Sequence, residues 1–558
     1  MADILKGAPA RIEGYDLAAE SQRLDFKDVT VGGVTINRRT ARIDVRGEME
    51  PPANERIREE HQREIFVTTH ADDSPVVELG FPVAGPYVAC PAGVYFDCQL
   101  GVAQKLLDEN HPAFARAVDA LVKHRALLRR EINTDDFFAA APGARGEIRL
   151  PQELASLLNG LAREAFPAVP AFKTFFSNSG TEAIEAGIKL SQIVRYRRLL
   201  ERHGRETFET LMRQLGIARN PVIEGFDRTR DEPVYRDYPF FVFAFEGAFH
   251  GRTMGSLSLT QSKRAHQYGY SKLQWVRHFP WDGAAARLAE IVDARPLLEV
   301  LAAEGGVKRL LEAGRVPADL VAAFISEPFQ GEGGYRIPDA AAFRDLVATL
   351  RRLDIPFFAD EVQTFARTGR AFAASHFVDG ADIIAIAKGA WVGATIARAD
   401  WERHLHPGWH SNTWGGGKVF DTQLAYASVD AVARFRDPVL GGLGYFENSR
   451  VKGAYLAWVL GRLAERHPAL LVSHRGLGLM HGISVRRREE IVREAWRRGL
   501  KLLGCGNAGE VSGIRLLFLV DTLGREIDDF ARTLDATLAA VGGHPPVAAA
   551  SKPVASEI

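Results

Sequence analysis

The chain has 558 residues, too many for one compact core, so two or three domains are expected. Hydrophobic residues make up 46% and charged residues 25%, and the 70 basic and 70 acidic side chains leave no net field to draw in nucleic acid or an anionic membrane. The three cysteines, Cys90, Cys98 and Cys505, include no C-x-x-C pair; this argues against a disulfide framework, a zinc site or an iron–sulfur cluster, and for reduced thiols in the cytoplasm.

The N-terminus lacks a basic region followed by an apolar run, so no signal peptide is expected. Residues 1–75 are polar, with short β-like pieces such as Val29 to Ile36, and are expected to form an extension packed on the body. Residues 76–150 read as the N-terminal part of a smaller domain, with an amphipathic helix from Pro112. From 151 to 425 strands and helices alternate: helix 151–165, strand 172–177, helix 181–201, strands 239–245 and 320–326, helix 340–353, strands 355–359 and 382–387. That order predicts a doubly wound, mostly parallel α/β domain. A charged segment, 195–237, is expected to be a surface helical insertion, and an Ala/Leu/Glu-rich one, 283–317, a second helical insertion. Residues 426–541 read as a C-terminal α+β unit with strands near 476–485 and 513–520, and the Ala/Pro-rich tail 542–558 as disordered. The longest apolar stretch, Ile383 to Ala397, is interrupted by Lys388 and is too short to span a bilayer.

The chemistry concentrates where apolar strands end. Lys388 closes one such strand and Asp360 another, and ligands of parallel sheets bind outside the carboxyl ends of their strands. A lysine and an aspartate in one crevice suit pyridoxal phosphate, the lysine as Schiff base and the carboxylate as partner of the pyridine nitrogen. Ser179, Gly180 and Thr181 open a helix whose free N–H groups suit a phosphate, although on these residues alone an ordinary helix cap is the better reading. Phe249 can stack on a flat ring, and Arg252 offers a fork for a carboxylate. His250 between them reads as structural or catalytic. Glu327 ends a third strand and needs a cation, for which Arg515 is the candidate, while Gly331, Gly333 and Gly334 read as turn residues.

The order of these segments resembles the class III, ω-amino acid type, pyridoxal phosphate-dependent aminotransferases of the type I fold. The matching pieces are Asn178 to Ala183, Phe249 to Thr253, Glu327-Pro328 with Gln330 to Gly334, Asp360 to Thr364, Lys388-Gly389, Asn412 to Gly416 and Arg475 to Met480, with the Asn412 piece nearer to the lysine 6-aminotransferase and 4-aminobutyrate aminotransferase branches. The resemblance implies a large pyridoxal 5′-phosphate domain plus a smaller α+β domain built from both chain ends. Lys388 is then the Schiff-base lysine and proton shuttle, and Asp360 the partner of the ring nitrogen. Phe249 and Val362 sandwich the ring, with His250 beside them, and Gln363 bonds near the phenolic oxygen. Ser179, Gly180 and Thr181 hold the phosphate, and Thr413 reaches the phosphate of the neighbouring subunit, which implies a homodimer with shared sites. Arg252 binds a substrate carboxylate, while Glu327 and Arg515 form a switch between an ω-amino donor (lysine, ornithine or 4-aminobutyrate) and the acceptor 2-oxoglutarate. An aminomutase, decarboxylase or racemase of the same fold, or a non-catalytic binding subunit, are the alternatives. No metal, nucleic acid or membrane partner is implied. The chain departs from the family at Phe365-Ala366-Arg367-Thr368-Gly369, one residue short and without the two early glycines, at Gly389 to Gly393 after the lysine, and at Ile184 where Asn is usual.

Overall fold

A computed structural model of the chain describes residues 3–20, 26–51, 53–66, 75–77, 79–129, 138–226, 232–413, 415, 418–506 and 509–543. Two compact units are present, one of Ala113–Ala366 with Arg370–Ala433, the other of Met1–Pro112, Arg367–Gly369 and Arg434–Ile558.

The first unit is built on a seven-stranded sheet. In chain order its elements are α1 (Pro151–Ala165), β1 (Phe172–Ser177), α2 (Gly180–Gln214), β2 (Phe241–Phe245), α3 (Met254–Leu259), β3 (Val276–Phe279), β4 (Val321–Ser326), α4 (Ala340–Arg352), β5 (Phe357–Asp360), β6 (Ile383–Ile386) and β7 (Gly393–Arg398). The strand order is β3-β2-β4-β5-β6-β7-β1, and only β7 runs against its neighbours. Phe, Ile, Val and Ala dominate β2, β4, β5 and β6, and every residue of these four strands is buried, as a sheet covered on both faces requires. Helix α2 lies so close to the sheet that a Cβ at Gly187 would stand 2.4 Å from the Phe358 ring. The segment 195–237 is helical as expected, but it is not confined to the surface. Helix α2 continues through it to Gln214, breaking at Gly204 (φ 78°), and it buries Tyr196, Leu199, Phe208, Leu211 and Met212. These apolar residues recur at helical spacing, a pattern that the surrounding charges obscured, and Tyr196 and Phe208 pack against Tyr235, Tyr238 and Phe240. The segment 283–317 forms helices 284–291, 297–302 and 306–312 with one short strand pair. Helix α5 (Val419–Arg434) closes the unit.

The second unit holds α6 (Tyr445–Arg466), β8 (Leu471–Leu477), β9 (Met480–Val485), α7 (Arg488–Arg497), β10 (Leu503–Cys505), β11 (Ser512–Leu517) and α8 (Gly524–Gly543). The strands form an antiparallel sheet in the order β8-β9-β11-β10. The N-terminal residues are tied to these elements by buried charge. Arg38 pairs with Asp521 (2.7 Å), Glu526 (2.8 Å) and Asp108 (3.2 Å), and Glu20 pairs with Lys452 (2.8 Å) and accepts the N–H of Gly524. Val29–Val31 and Val34–Ile36 form a hairpin. The tail expected from 542 lies, from 544 onward, outside the described residues. Among the described residues no helix is long and apolar enough to cross a membrane.

Candidate active site

Strand register brings the first unit's candidate residues together. Asp360, last in β5, lies beside Ala385 of β6, so Lys388 follows three residues beyond the same level. Ala359 lies beside Ser326 of β4, which places Glu327 next to the end of β5. Strand β2 runs parallel on the other side of β4 and leads into the loop that carries Phe249, His250 and Arg252. Four adjoining strands therefore deliver their loops to one edge of the sheet, outside the carboxyl ends. Lys388 is half-buried and adopts φ 52°, the left-handed region that a non-glycine residue enters at a cost of about 1–2 kcal/mol.

Asp360 is buried, and its two oxygens have separate partners. His250 Nδ1 lies 2.7 Å from Oδ2, and the Val362 N–H donates to Oδ1 at 3.1 Å. The His250 side chain is fully buried, and its Nε2 has no hydrogen-bond partner among the described residues. Glu327 is buried, and its two oxygens accept the N–H groups of Phe249 (2.8 Å) and Gly331 (2.9 Å), so backbone dipoles stand where the sequence suggested a cation. Burial pushes this carboxyl up to about 7; His250 and the two N–H groups pull it down, and Asp360 adds to the rise. Its expected partner Arg515 sits buried on β11 in the second unit, donating to the Gly504 carbonyl at 3.4 Å.

At the start of α2, Ser179 caps the helix by accepting the Glu182 N–H, and Gly180 and Thr181 supply the first helical N–H groups, which have no acceptor within the helix. Gly180 is there because of Val362: a Cβ would stand 2.6 Å from one Val362 methyl and 2.9 Å from the other. Gly331 is likewise more than a turn residue, since a Cβ there would overlap Gln363 Oε1. That oxygen is buried and has no hydrogen-bond partner among the described residues. Phe249 and Val362 are half-buried, and Thr413 is exposed in a loop whose Trp414, Gly416 and Gly417 lie outside the described residues.

Sequence reasoning missed several neighbours. Thr181 Oγ1 bonds Ser256 (2.7 Å) and Thr253 (3.0 Å), and Glu185 accepts from the Thr253 hydroxyl and the Ser256 N–H, which fastens the Arg252 loop to α2. Glu185 lies one turn beyond Thr181, a helical spacing that could have flagged it. His266 bonds Arg252 at 2.9 Å, and no motif marks it.

The geometry describes a crevice with a lysine, a hydrogen-bonded aspartate, a helix start open to an anion and an unpaired amide oxygen. Comparison with known proteins shows the family. The family model described as "Aminotransferase class-III" matches residues 95–536. Acetylornithine aminotransferase of Gloeobacter violaceus is 29% identical over 446 residues, covering 78% of this chain and 88% of that protein. The acetylornithine aminotransferase of Mycobacterium tuberculosis is 30% identical over 461 residues, covering 81% and 89%. Among solved structures, lysine aminotransferase from M. tuberculosis in the internal aldimine form has a TM-score of 0.64 at 23% identity, covering 87% of this chain and 99% of that one, a likeness of fold.

Proposed function

This chain belongs to the class III aminotransferases, and we propose that within them it moves the amino group of an ω-amino donor, of the lysine, ornithine or 4-aminobutyrate type, to 2-oxoglutarate. As a transaminase of this family it takes an amino donor and a keto acid and depends on pyridoxal 5′-phosphate. Its residues fit that cofactor at three points: the Gly180 cradle against Val362, the unpaired Gln363 oxygen, and the Asp360 carboxylate that His250 holds in place.

The observation that carries the reading is the register that ends β5 on Asp360 and puts Lys388 two residues past the end of the adjacent parallel strand β6. When bound, the cofactor supplies an electron sink for the charge left when the donor's amine-bearing carbon loses its proton. Lys388 Nζ would hold the cofactor and would carry that proton away from the donor's carbon. Asp360 holds the proton on the ring nitrogen and is itself kept in orientation by His250. Gly180 and Thr181 N–H groups would hold the phosphate, with Ser179 capping the helix behind them, while Phe249 and Val362 would hold the ring. Arg252 takes a carboxylate, and Glu327 with Arg515 exchanges the donor's end for the acceptor's. Thr413, exposed in one chain, would complete the phosphate site of a second copy, so the working form is a homodimer. A cytoplasmic location goes with three cysteines that form no C-x-x-C pair.

An absorbance titration of the holoenzyme with lysine, ornithine and 4-aminobutyrate, without keto acid, tests the reading. Conversion of the yellow band by one of them is expected. A band that none of the three bleaches refutes the donor class, and the absence of any band after adding cofactor refutes the site. Sedimentation at micromolar concentration tests the dimer, and a monomer carrying full activity would refute shared sites.

A further inference from the structure

Arg252 is exposed, but its guanidinium is not free to wander. One terminal nitrogen lies 2.9 Å from His266 Nε2, and its central carbon lies 6.0 Å from the centre of the Phe249 ring. His266 is itself fixed. It is 7% exposed, its Nδ1 lies 3.1 Å from Ser262 Oγ, and its ring meets Phe249 edge-on at 5.4 Å between centres.

The direction of these bonds follows from the groups. A guanidinium has donors only, so Nε2 must accept, and the single proton of a neutral imidazole must sit on Nδ1, facing the serine. A protonated ring would turn Nε2 into a donor aimed at a cation. The charged groups facing His266 are Arg252 from the β2 loop, Lys263 from its own segment and Glu332 from the β4 loop, with Lys263 and Glu332 paired to each other. Burial, then Arg252, holds the imidazole below its ordinary value, Glu332 opposes them, and Lys263 adds to the fall; the ring is therefore neutral at neutral pH.

We propose that His266 is a positioning residue for substrate recognition: it pins the Arg252 guanidinium against Phe249 so that a donor's carboxylate meets a fork already in place. The inference rests on the reading of Arg252 as the carboxylate site. A free arginine loses rotamer freedom when it binds, and a pinned one has lost it beforehand.

The test uses the holoenzyme and the half-reaction with whichever of 4-aminobutyrate, ornithine or lysine reacts best. His266→Ala raises KM about tenfold, the worth of one hydrogen bond to a charged group, with kcat and the cofactor spectrum unchanged. His266→Gln, whose amide oxygen also accepts, restores KM to within about threefold. In the wild type kcat/KM falls as pH drops, and the part of this limb that lies at the lowered His266 value vanishes in His266→Gln, while the part set by Glu327 stays. A fall in kcat at constant KM, a Gln variant as poor as the Ala variant, or an acid limb unchanged in His266→Gln overturns the proposal. Arg252→Ala separates the two ideas. If it leaves KM unchanged, the carboxylate reading fails and this inference with it. If it raises KM while His266→Ala does not, the inference alone fails. No reaction with any of the three donors refutes the donor class beneath both.

Discussion

Gly180→Ala probes how the fold sets the cofactor's phosphate end. The added Cβ would stand 2.6 Å and 2.9 Å from the two methyl carbons of Val362. Carbon atoms rest about 3.5–4.0 Å apart, so one side must retreat by about 1 Å. Val362 is stiff at χ1, and its N–H is bonded to Asp360, which in turn is bonded to His250. The displacement therefore falls on the start of α2 and on the N–H groups of residues 180 and 181. Overpacking of this kind costs about 1–3 kcal/mol. If the strain is relieved by moving the phosphate site, the cofactor dissociation constant rises about 5- to 150-fold. The assay is a fluorescence titration of the resolved protein with pyridoxal 5′-phosphate, beside a thermal melt of the apoprotein. The melt should change little, because alanine is favoured over glycine in a helix by about 0.5–1 kcal/mol. The pair Gly180→Ala with Val362→Ala should bring the constant back towards that of Val362→Ala alone, since the two side chains then no longer collide. A constant within twofold of wild type for Gly180→Ala would refute the steric argument.

Four further outcomes are expected. Lys388→Ala should lower the half-reaction by about 10³-fold or more while leaving circular dichroism unchanged, and a rate within tenfold of wild type would remove this lysine from proton transfer. Ala366 holds φ 64° in a fully buried turn, so Ala366→Gly should relieve strain and raise stability by up to about 1 kcal/mol in urea, where a loss would show that its methyl packing matters more. Burial pushes the Glu361 carboxyl from 4.5 up to about 7, against the pull of Ala374 N–H, the Thr364 hydroxyl and Ala373 N–H, with Asp360 adding to the rise. The folded unit thus holds this proton more tightly than the unfolded chain; the stability it contributes is whole below 4.5 and is lost as pH rises through about 7. Urea unfolding at pH 5 and pH 8 should show a steeper fall in wild type than in Glu361→Gln, and equal slopes would refute this. Arg38→Met leaves Asp521, Glu526 and Asp108 buried without their cation and should cost about 3–5 kcal/mol, whereas a loss under about 1 kcal/mol would mean that water reaches these acids.

Much of the fold was legible because its signals are local. Apolar runs such as Phe357 to Ala359 and Ile383 to Ile386 have the length and composition of buried parallel strands, and helix α1 announces itself by Pro151 at its first turn with Glu153 bonding back to the Leu150 N–H. The 195–237 segment was read correctly as helical, but its burial was not foreseen, because charge density hid an apolar stripe whose partners, Tyr235, Tyr238 and Phe240, lie beyond a chain reversal.

By itself the sequence determined which side chains end the strands, since a strand's last residue and the glycine-rich turn after it are matters of local composition: Asp360, Glu327, Lys388 and the Ser179-Gly180-Thr181 turn were all placed in this way. Only the tertiary structure decided what each of them meets. Asp360 meets His250, Glu327 meets two backbone N–H groups, Gly180 meets Val362, and Arg252 meets His266. These contacts join residues brought together by strand register and loop path. No periodicity along the chain encodes a distance between two such loops, so the orientation of each functional group had to come from the fold.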